Sequence, residues 1–190
     1  RPIGILLGLT TTLSPFTTRP SFTELAQLPL AERVAALGDP ERKARILSES
    51  TGHGFMRLFR LMDEGRKIWL MTDPPNYEPD PKDSLYAQAI ARGQDPWSFV
   101  YDALLQNQGK AMLYTPFANY AEDNLDCCRD MILHKDTVMG LGDGGAHVGT
   151  ICDASFITSL LTHWGRDRTR GEGIDLPTLI KCQARDTAWA

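Results

Sequence analysis

The sequence predicts an α/β fold, in which short β-strands alternate along the chain with α-helices. Four apolar runs have the length of buried strands and are bounded by turn-forming residues: residues 3–9, 67–72, 110–115 and 137–141. The segments between them show helical periodicity and begin at capping residues. Strands that alternate with helices in this way are typical of α/β architectures.

The composition is that of an ordinary globular protein. The chain has 190 residues, of which 42% are hydrophobic and 23% charged, and this length suffices for one sizeable domain. The net charge of −4 gives no reason to expect nucleic acid or a membrane surface as a partner. The 4 cysteines form no C-x-x-C pair, which favours free thiols in a reducing cytoplasm over a structural zinc site.

The N-terminal part is predicted to contain one strand and several short helices. The strand at 3–9 is followed by a loop rich in Thr, Ser and Pro, and residues 21–50 then predict helices. Ser21 is the expected N-cap of the first helix, because Glu24 follows three residues later as in a capping box. Asp39 is the expected N-cap of a later helix, since a proline follows it directly.

The middle of the chain is predicted to be rich in helices and loops. Residues 73–83 contain four prolines in eleven positions, which excludes regular secondary structure. Helices are expected at about 84–92 and 96–107, the second with Asp95 as its N-cap. Because residues 20–107 contain mostly helix and loop, we expect them to form an insertion or lid between two strands of a larger sheet or barrel.

The C-terminal part is predicted to be a helix, a strand and two further helices. The first helix is expected at about 122–134 and the strand at 137–141. The later helices are expected near 155–164, with Asp153 as the N-cap, and at 176–188. Since the chain opens inside an apolar strand and ends inside a helix, we expect it to be part of a longer protein.

The stretch "GLGDGGAHVG" at residues 140–149 allows three interpretations. Its glycines have the G-x-G-x-x-G spacing of a dinucleotide-binding loop, but Asp143 would place a negative charge against the phosphates. A second interpretation is a plain turn, in which glycines supply positive φ angles and Asp143 bonds to its own backbone. In the third, a strand ends here and holds the carboxylate of Asp143 over an active site as a general base.

Three stretches of the chain together resemble one family of enzymes. "TVMGLGDGGAHVG", "LLTHWGRDR" and "RPIGILLGL" are similar to segments of the amidohydrolase superfamily, and most closely to its branch of N-acyl-D-amino-acid deacylases (D-aminoacylases). That family ends its eighth barrel strand in Ser-Asp-Gly. Here Gly142 stands in the place of the serine, and Asp143 falls on the aspartate. The resemblance covers nearly all of the chain and is most specific over residues 137–168.

The resemblance implies a fold and a place for the chain within it. Residues 1–190 would be the C-terminal part of a metal-dependent (β/α)8 barrel. Residues 3–9 and 137–141 would be its seventh and eighth strands, adjacent and parallel. Residues 20–107 would form a helical lid between these strands, and residues 137–190 would form the last strand, the active-site loop and the following helices.

The resemblance also implies a reaction, the metal-dependent hydrolysis of a linear amide C–N bond in an N-acyl-D-amino acid. Zinc would polarise the carbonyl and activate a water molecule. Asp143 would take the proton of that water as a general base, hand it to the leaving nitrogen as an acid, and could also contact the metal. The resemblance places the family's other zinc ligands upstream of Arg1, and none of the 4 histidines in this chain forms an H-x-H pair.

Three further residues are candidates for contacts with this small acylated substrate. They are Tyr77 in the proline-rich segment, His147 in the glycine-rich stretch and Arg166 near the end of a predicted helix. The family places an arginine for the substrate carboxylate at the position that Ala154 occupies here. His163 is expected to have a packing role.

Two alternatives to a deacylase stay open. The first is another amidohydrolase, either a cyclic amidase or a deaminase. The second, from a different class of protein, is a non-catalytic α/β fragment or binding module. The zinc content of the intact protein would discriminate between the two classes, because a binding module needs no zinc. The sequence does not indicate the oligomeric state.

Overall fold

A three-stranded antiparallel sheet lies at the centre of the structure. The computed structural model of the chain describes residues 3–49, 65–140 and 155–190. The strands are β1 (Ile3–Gly8), β2 (Trp69–Leu70) and β3 (Met112–Ala118). β3 is the central strand, and both of its neighbours run antiparallel to it.

Helices fill the connections between the strands and follow the last one. Those before and just after β3 are α1 (Pro20–Thr23), α2 (Leu30–Leu37), α3 (Pro40–Ser48), α4 (Leu85–Ala91), α5 (Pro96–Gly109) and α6 (Asp126–Leu133). The helix α7 begins as an α-helix at Phe156–Ser159 and continues as a π-helix over Leu160–Asp167. The helix α8 comprises Leu176–Ile180, a π-helical stretch at Lys181–Asp186 and a last turn at Thr187–Trp189. Among the described residues, no helix is long and apolar enough to cross a membrane.

The strand register separates two faces of the sheet. Leu113 of β3 lies opposite Leu7 of β1 and Leu70 of β2, and these three side chains share one face. Tyr114 lies opposite Trp69, so these two rings occupy the other face. Because Leu7 and Leu113 are fully buried and both rings are nearly so, each face of the sheet is covered by other elements.

Two hydrophobic clusters cover the two faces. The leucine face belongs to a core that also contains side chains from α2, α3, α4 and α5, among them Leu37, Ile46, Leu85 and Leu104. The buried hydroxyl of Tyr101 in α5 donates to the carbonyl of Leu37 at 2.9 Å, which ties two of these helices together. The second cluster joins Trp69 to α6, α7 and α8, and its other buried members are Tyr120, Leu125, Cys128, Leu160, Trp164, Ile174 and Leu179.

The structure confirms a fold of mixed helix and sheet but corrects the strand arrangement. The described residues show no (β/α)8 barrel, whose neighbouring strands would all be parallel. The prediction that residues 3–9 and 137–141 are adjacent parallel strands is wrong, because β1 pairs antiparallel with β3. The role of residues 20–107 as a lid stays a prediction, and so does the division of the chain into domains.

Residues 137–140 do not form the predicted strand. The hydroxyl of Thr137 donates to the carbonyls of Met131 and His134 at 2.6 and 2.8 Å, so this residue closes the end of α6 instead of starting a strand. The side chain of Val138 is exposed. A short apolar run was therefore mistaken for a buried strand, and Leu141 lies outside the described residues.

The predicted helix caps have mixed outcomes. Asp39 and Asp95 are N-caps as expected, and their carboxylates accept from the backbone N–H groups of Glu41 and Ser98. Ser21 is not an N-cap, because α1 begins one residue earlier, at Pro20. The capping box that requires Ser21 as N-cap is therefore wrong. Asp153 lies outside the described residues.

Candidate functional site

A cleft of about 880 Å³ separates the proline-rich segment from helix α7. One wall is formed by residues 74–83, and the opposite wall by residues 155–170. Their side chains come from positions far apart in the sequence, so the cleft exists only in the folded chain. The lining residues that matter below are Tyr77, Glu78, Asp80, Lys82, His163, Arg166, Asp167 and Arg170.

Side chains from the sheet hold the proline-rich wall in place. The indole Nε1 of Trp69 donates to the carbonyl of Asp80 at 2.8 Å, and the hydroxyl of Tyr120 donates to the carbonyl of Pro79. Within the segment, the amide of Glu78 donates to the side chain of Asn76 at 2.9 Å. Because prolines lack backbone donors, this wall depends on side chains donating to its carbonyl groups.

The carboxylate of Glu78 is the buried centre of this wall. It accepts hydrogen bonds of 3.0 Å from both Nε and Nη2 of Arg168, and one of 2.8 Å from the amide of Leu125. The side chains of Glu78 and Arg168 are 2% and 0% exposed. The Nη2 of Arg168 also donates to the carboxylate of Asp126 at 2.6 Å. This fork geometry gives a strong, directional ion pair.

His163 completes the cluster from helix α7. Its Nε2 lies 3.2 Å from the carboxylate of Glu78, and its ring stands edge-on to that of Trp164. The nitrogen and the carboxylate oxygen are close, but their contact is not a hydrogen bond, so Nε2 is a buried polar atom without a hydrogen-bond partner among the described residues. The expected packing role of His163 against its neighbour is confirmed, and the same side chain also lines the cleft.

Burial and charge act on Glu78 in opposite directions. Burial on its own would raise the pKa of this carboxyl group, because the charged form loses water. The contacts with His163, with Arg168 and with the amide of Leu125 outweigh that effect and lower the pKa to about 2. The same ion pair raises the pKa of Arg168 above its ordinary value. Both groups are therefore charged at neutral pH, and neither is poised to exchange a proton.

Arg170 approaches the same wall without an acidic partner. Its Nη1 donates to the hydroxyl of Tyr120 at 2.9 Å and to the carbonyls of Pro79 and Glu78 at 3.0 and 3.4 Å. Burial raises the pKa of Tyr120 to about 12, so the phenol stays neutral. Within the described ranges, no carboxylate lies within 4.0 Å of the Arg170 guanidinium.

The structure brings two of the sequence-predicted site residues together. Tyr77 and Arg166 both line the cleft, one on each wall. The ring of Tyr77 stands edge-on to Tyr114 at 5.8 Å, and Arg166 is bonded to its neighbour Asp167 at 2.5 Å. The remaining predicted residues, Asp143 and His147, lie outside the described residues, as does Ala154.

The described residues do not supply a zinc site. Among residues 3–49, 65–140 and 155–190, no three or more His, Cys, Asp or Glu side chains are grouped so as to hold a metal ion. The carboxylate of Glu78 is occupied by Arg168. This part of the chain therefore does not test the zinc ion that the family resemblance implies, and a zinc site with its other ligands upstream of Arg1 stays a prediction.

Sequence reasoning missed Glu78 and Arg170, and it considered Arg168 only as a candidate contact for a substrate carboxylate, whereas the structure pairs Arg168 with Glu78. Glu78 stands in a hydrophilic, proline-rich stretch, which is typical of a solvated loop. Arg168 and Arg170 follow a helix end, where exposed charges are common. The proline-rich segment offered one signal, since a chain without backbone donors needs side-chain partners from elsewhere. The sequence does not indicate which side chains bind to this segment.

Comparison with known proteins gives no relative for this chain. No protein-family model matches it, and neither a curated protein nor a solved structure is significantly similar to it.

Proposed function

We propose that the chain belongs to an amidohydrolase that cleaves the linear amide C–N bond of N-acyl amino acids, with the D-amino acids as the preferred substrates. The observation that carries this proposal is the resemblance of residues 137–168 to the deacylase family, in which Asp143 falls on the catalytic aspartate. The last part of that stretch, from residue 155 onward, forms one wall of the cleft.

The chemistry of the cleft supports an amphiphilic substrate of this kind. Pro74, Pro75 and the half-buried ring of Tyr77 offer apolar surface, while the opposite wall carries hydroxyl groups and arginines. An N-acyl amino acid has the same division, with an apolar side chain or acyl group and one carboxylate. The volume of about 880 Å³ lies within the range of small-molecule sites.

In this proposal Asp143 transfers a proton from the attacking water to the leaving nitrogen. Its carboxylate takes a proton from the attacking water while the oxygen of that water bonds to the amide carbon. It then gives the proton to the nitrogen as the C–N bond breaks, because an amide nitrogen does not leave as an anion. The products are a carboxylate and a free amino acid.

Zinc belongs to this proposal as a cofactor whose other ligands are expected upstream of Arg1, and we assign no step to it. A cytoplasmic location of the protein is also part of this proposal. The described cysteines, Cys127, Cys128 and Cys182, are free thiols, which suits the cytoplasm.

The test is an assay of the intact protein for release of free amine from N-acetyl-D-leucine, with N-acetyl-L-leucine as the comparison. We expect release of D-leucine at a rate well above that of the L-isomer. If both compounds stay intact in the presence of added zinc, the deacylase proposal fails, and the chain is better described as a binding module.

A further inference from the structure

Every cation that lines the cleft but one has a carboxylate partner within the described part of the chain. Lys82 pairs with Asp80 at 3.1 Å, and Arg166 pairs with Asp167 at 2.5 Å. Among the described residues Arg170 has no such carboxylate partner, and its hydrogen-bond acceptors are two carbonyls and a phenol. The guanidinium of Arg170 therefore has no directly bonded counter-ion, although Asp80 lies near enough for the two charges to interact.

The guanidinium of Arg170 is held from one side only. All three of its hydrogen bonds leave from Nη1, so Nε and Nη2 make none with the described residues. An arginine carries five N–H donors in a planar fork that matches the two oxygens of a carboxylate. Tyr120 fixes this fork, because its hydroxyl donates to Pro79 while it accepts from Arg170. The hydrogen bonds at Nη1 thus fix the orientation of Nε and Nη2.

We propose that Arg170 is the anchor for the carboxylate of the ligand in this cleft, which it binds through the Nε and Nη2 side of its guanidinium. The identity of the ligand as an N-acyl amino acid rests on the proposed function. The anchoring role itself rests on the unpaired, pre-oriented guanidinium at the wall of the cleft.

The surrounding charges favour a monoanion. Asp80, Asp83 and Asp167 also line the cleft. Asp80 and Asp167 are paired with Lys82 and Arg166. Asp83 therefore contributes most of the uncompensated negative charge, which repels a phosphate dianion more strongly than a carboxylate with a single charge. The prolines and Tyr77 on the opposite wall then suit the apolar part of the same molecule. Together these features specify a small amphiphilic monocarboxylate.

Arg166 is the natural comparison because it lies on the same wall. Its guanidinium is bonded twice to Asp167, and its side chain is 73% exposed. A ligand carboxylate would have to compete with that partner in water, where a further ion pair gains little. Arg166, the candidate predicted from the sequence, is therefore the competing anchor against which Arg170 is tested.

The experiment is a calorimetric titration with N-acetyl-D-leucine and with its uncharged analogue, N-acetyl-D-leucinamide. The protein titrated is the intact one carrying Asp143→Asn, which we expect to bind the substrate without hydrolysing it, and the variants titrated below are made in this background. We expect the carboxylate to bind at least about 10-fold more tightly than the amide, as a charge-assisted bidentate contact provides. Arg170→Met should abolish this preference and Arg170→Lys should weaken it, because lysine keeps the charge but lacks the fork. Arg166→Met should keep the preference.

Several outcomes would overturn the inference. These are an undiminished preference in folded Arg170→Met or Arg170→Lys, a preference lost equally in Arg166→Met, and no measurable binding of either compound. Competition by inorganic phosphate as strong as that by acetate would overturn the selectivity for carboxylates. Thermal unfolding of each variant shows whether it is folded. If Arg170→Met is not folded, the binding preference of Arg170→Lys alone decides the test.

Hydrolysis is scored separately, so the two proposals can fail independently. If the carboxylate preference depends on Arg170 but the intact protein releases no amine, the anchor stands and the deacylase proposal fails. If N-acetyl-D-leucine is hydrolysed equally well by Arg170→Met with Asp143 in place, at an unchanged KM, the deacylase proposal stands and the anchor fails.

Discussion

The carboxylate of Glu78 accepts two hydrogen bonds of 3.0 Å from Arg168, although the two residues are 90 positions apart in the chain. Both side chains are almost completely buried. The pair joins the proline-rich segment to the end of helix α7, and so it connects the two walls of the cleft. A buried ion pair of this kind is costly to break, because removal of one partner leaves the other charge without compensation.

We therefore predict that Glu78→Gln strongly destabilises the protein. The substitution keeps the shape of the side chain but leaves Arg168, among the described residues, with only the exposed Asp126 as an acidic partner. Breaking one side of a buried pair typically costs about 3–5 kcal/mol, and we expect a loss of this order in the free energy of unfolding measured with urea. Glu122→Gln, at an exposed position, is the control and should change it little. A loss below about 1 kcal/mol in Glu78→Gln would contradict the role given to the pair.

The same pair predicts a dependence of stability on pH. The pKa of Glu78 is lowered from an ordinary value of 4.5 to about 2 in the folded protein. Its contribution to stability is therefore complete above about pH 4.5 and is lost as the pH falls towards about 2. We expect the difference in free energy of unfolding between the wild type and Glu78→Gln to be constant from pH 7 to 5 and to shrink below that. If the difference in free energy of unfolding stays constant down to pH 2.5, the pairing with Arg168 does not lower the pKa of Glu78.

Gly4 and Tyr114 provide a test of the antiparallel sheet. A Cβ atom at Gly4 would lie 2.3 Å from the ring of Tyr114, so the ring packs over the glycine. We predict that Gly4→Ala lowers the free energy of unfolding by about 1–3 kcal/mol, as overpacking of a core does. In a Tyr114→Ala background the same change should cost much less. Additive effects in this double-mutant cycle would mean that β1 and β3 do not pair as described.

The sequence was sufficient to locate most elements but not to arrange them. The strands at β1, β2 and β3 were predicted because each is a short apolar run between turn residues, and Asp39 and Asp95 were recognised because a cap acts within three residues. Partner choice in a sheet depends on contacts across the whole chain. The pairing of β1 with β3 therefore could not be predicted from local patterns.

The site shows the same limit. Tyr77 and Arg166 were predicted one at a time, from residue type and position, and the fold places both on one cleft. Glu78, Arg168 and Arg170 act through partners from distant segments, and their spacing in the sequence carries no pattern. A charged residue looks solvated in a sequence until the fold shows which group it faces.

The last prediction concerns Asp143 and tests the proposed mechanism directly. In the intact protein, Asp143→Asn should lower kcat for N-acetyl-D-leucine by at least about 10³-fold, because general acid–base catalysis contributes about 10²- to 10⁴-fold and one carboxylate serves twice. The amide is nearly isosteric but cannot accept the proton of water, so KM should change little. Asp136→Asn is the control: this carboxylate is exposed, pairs only with its neighbour Lys135 among the described residues, and should leave kcat unchanged. If Asp143→Asn keeps more than about a tenth of the wild-type activity, Asp143 is not the base. The stretch "GLGDGGAHVG" is then best explained as a turn, in which glycines are needed for their φ angles and not for access to a reacting bond.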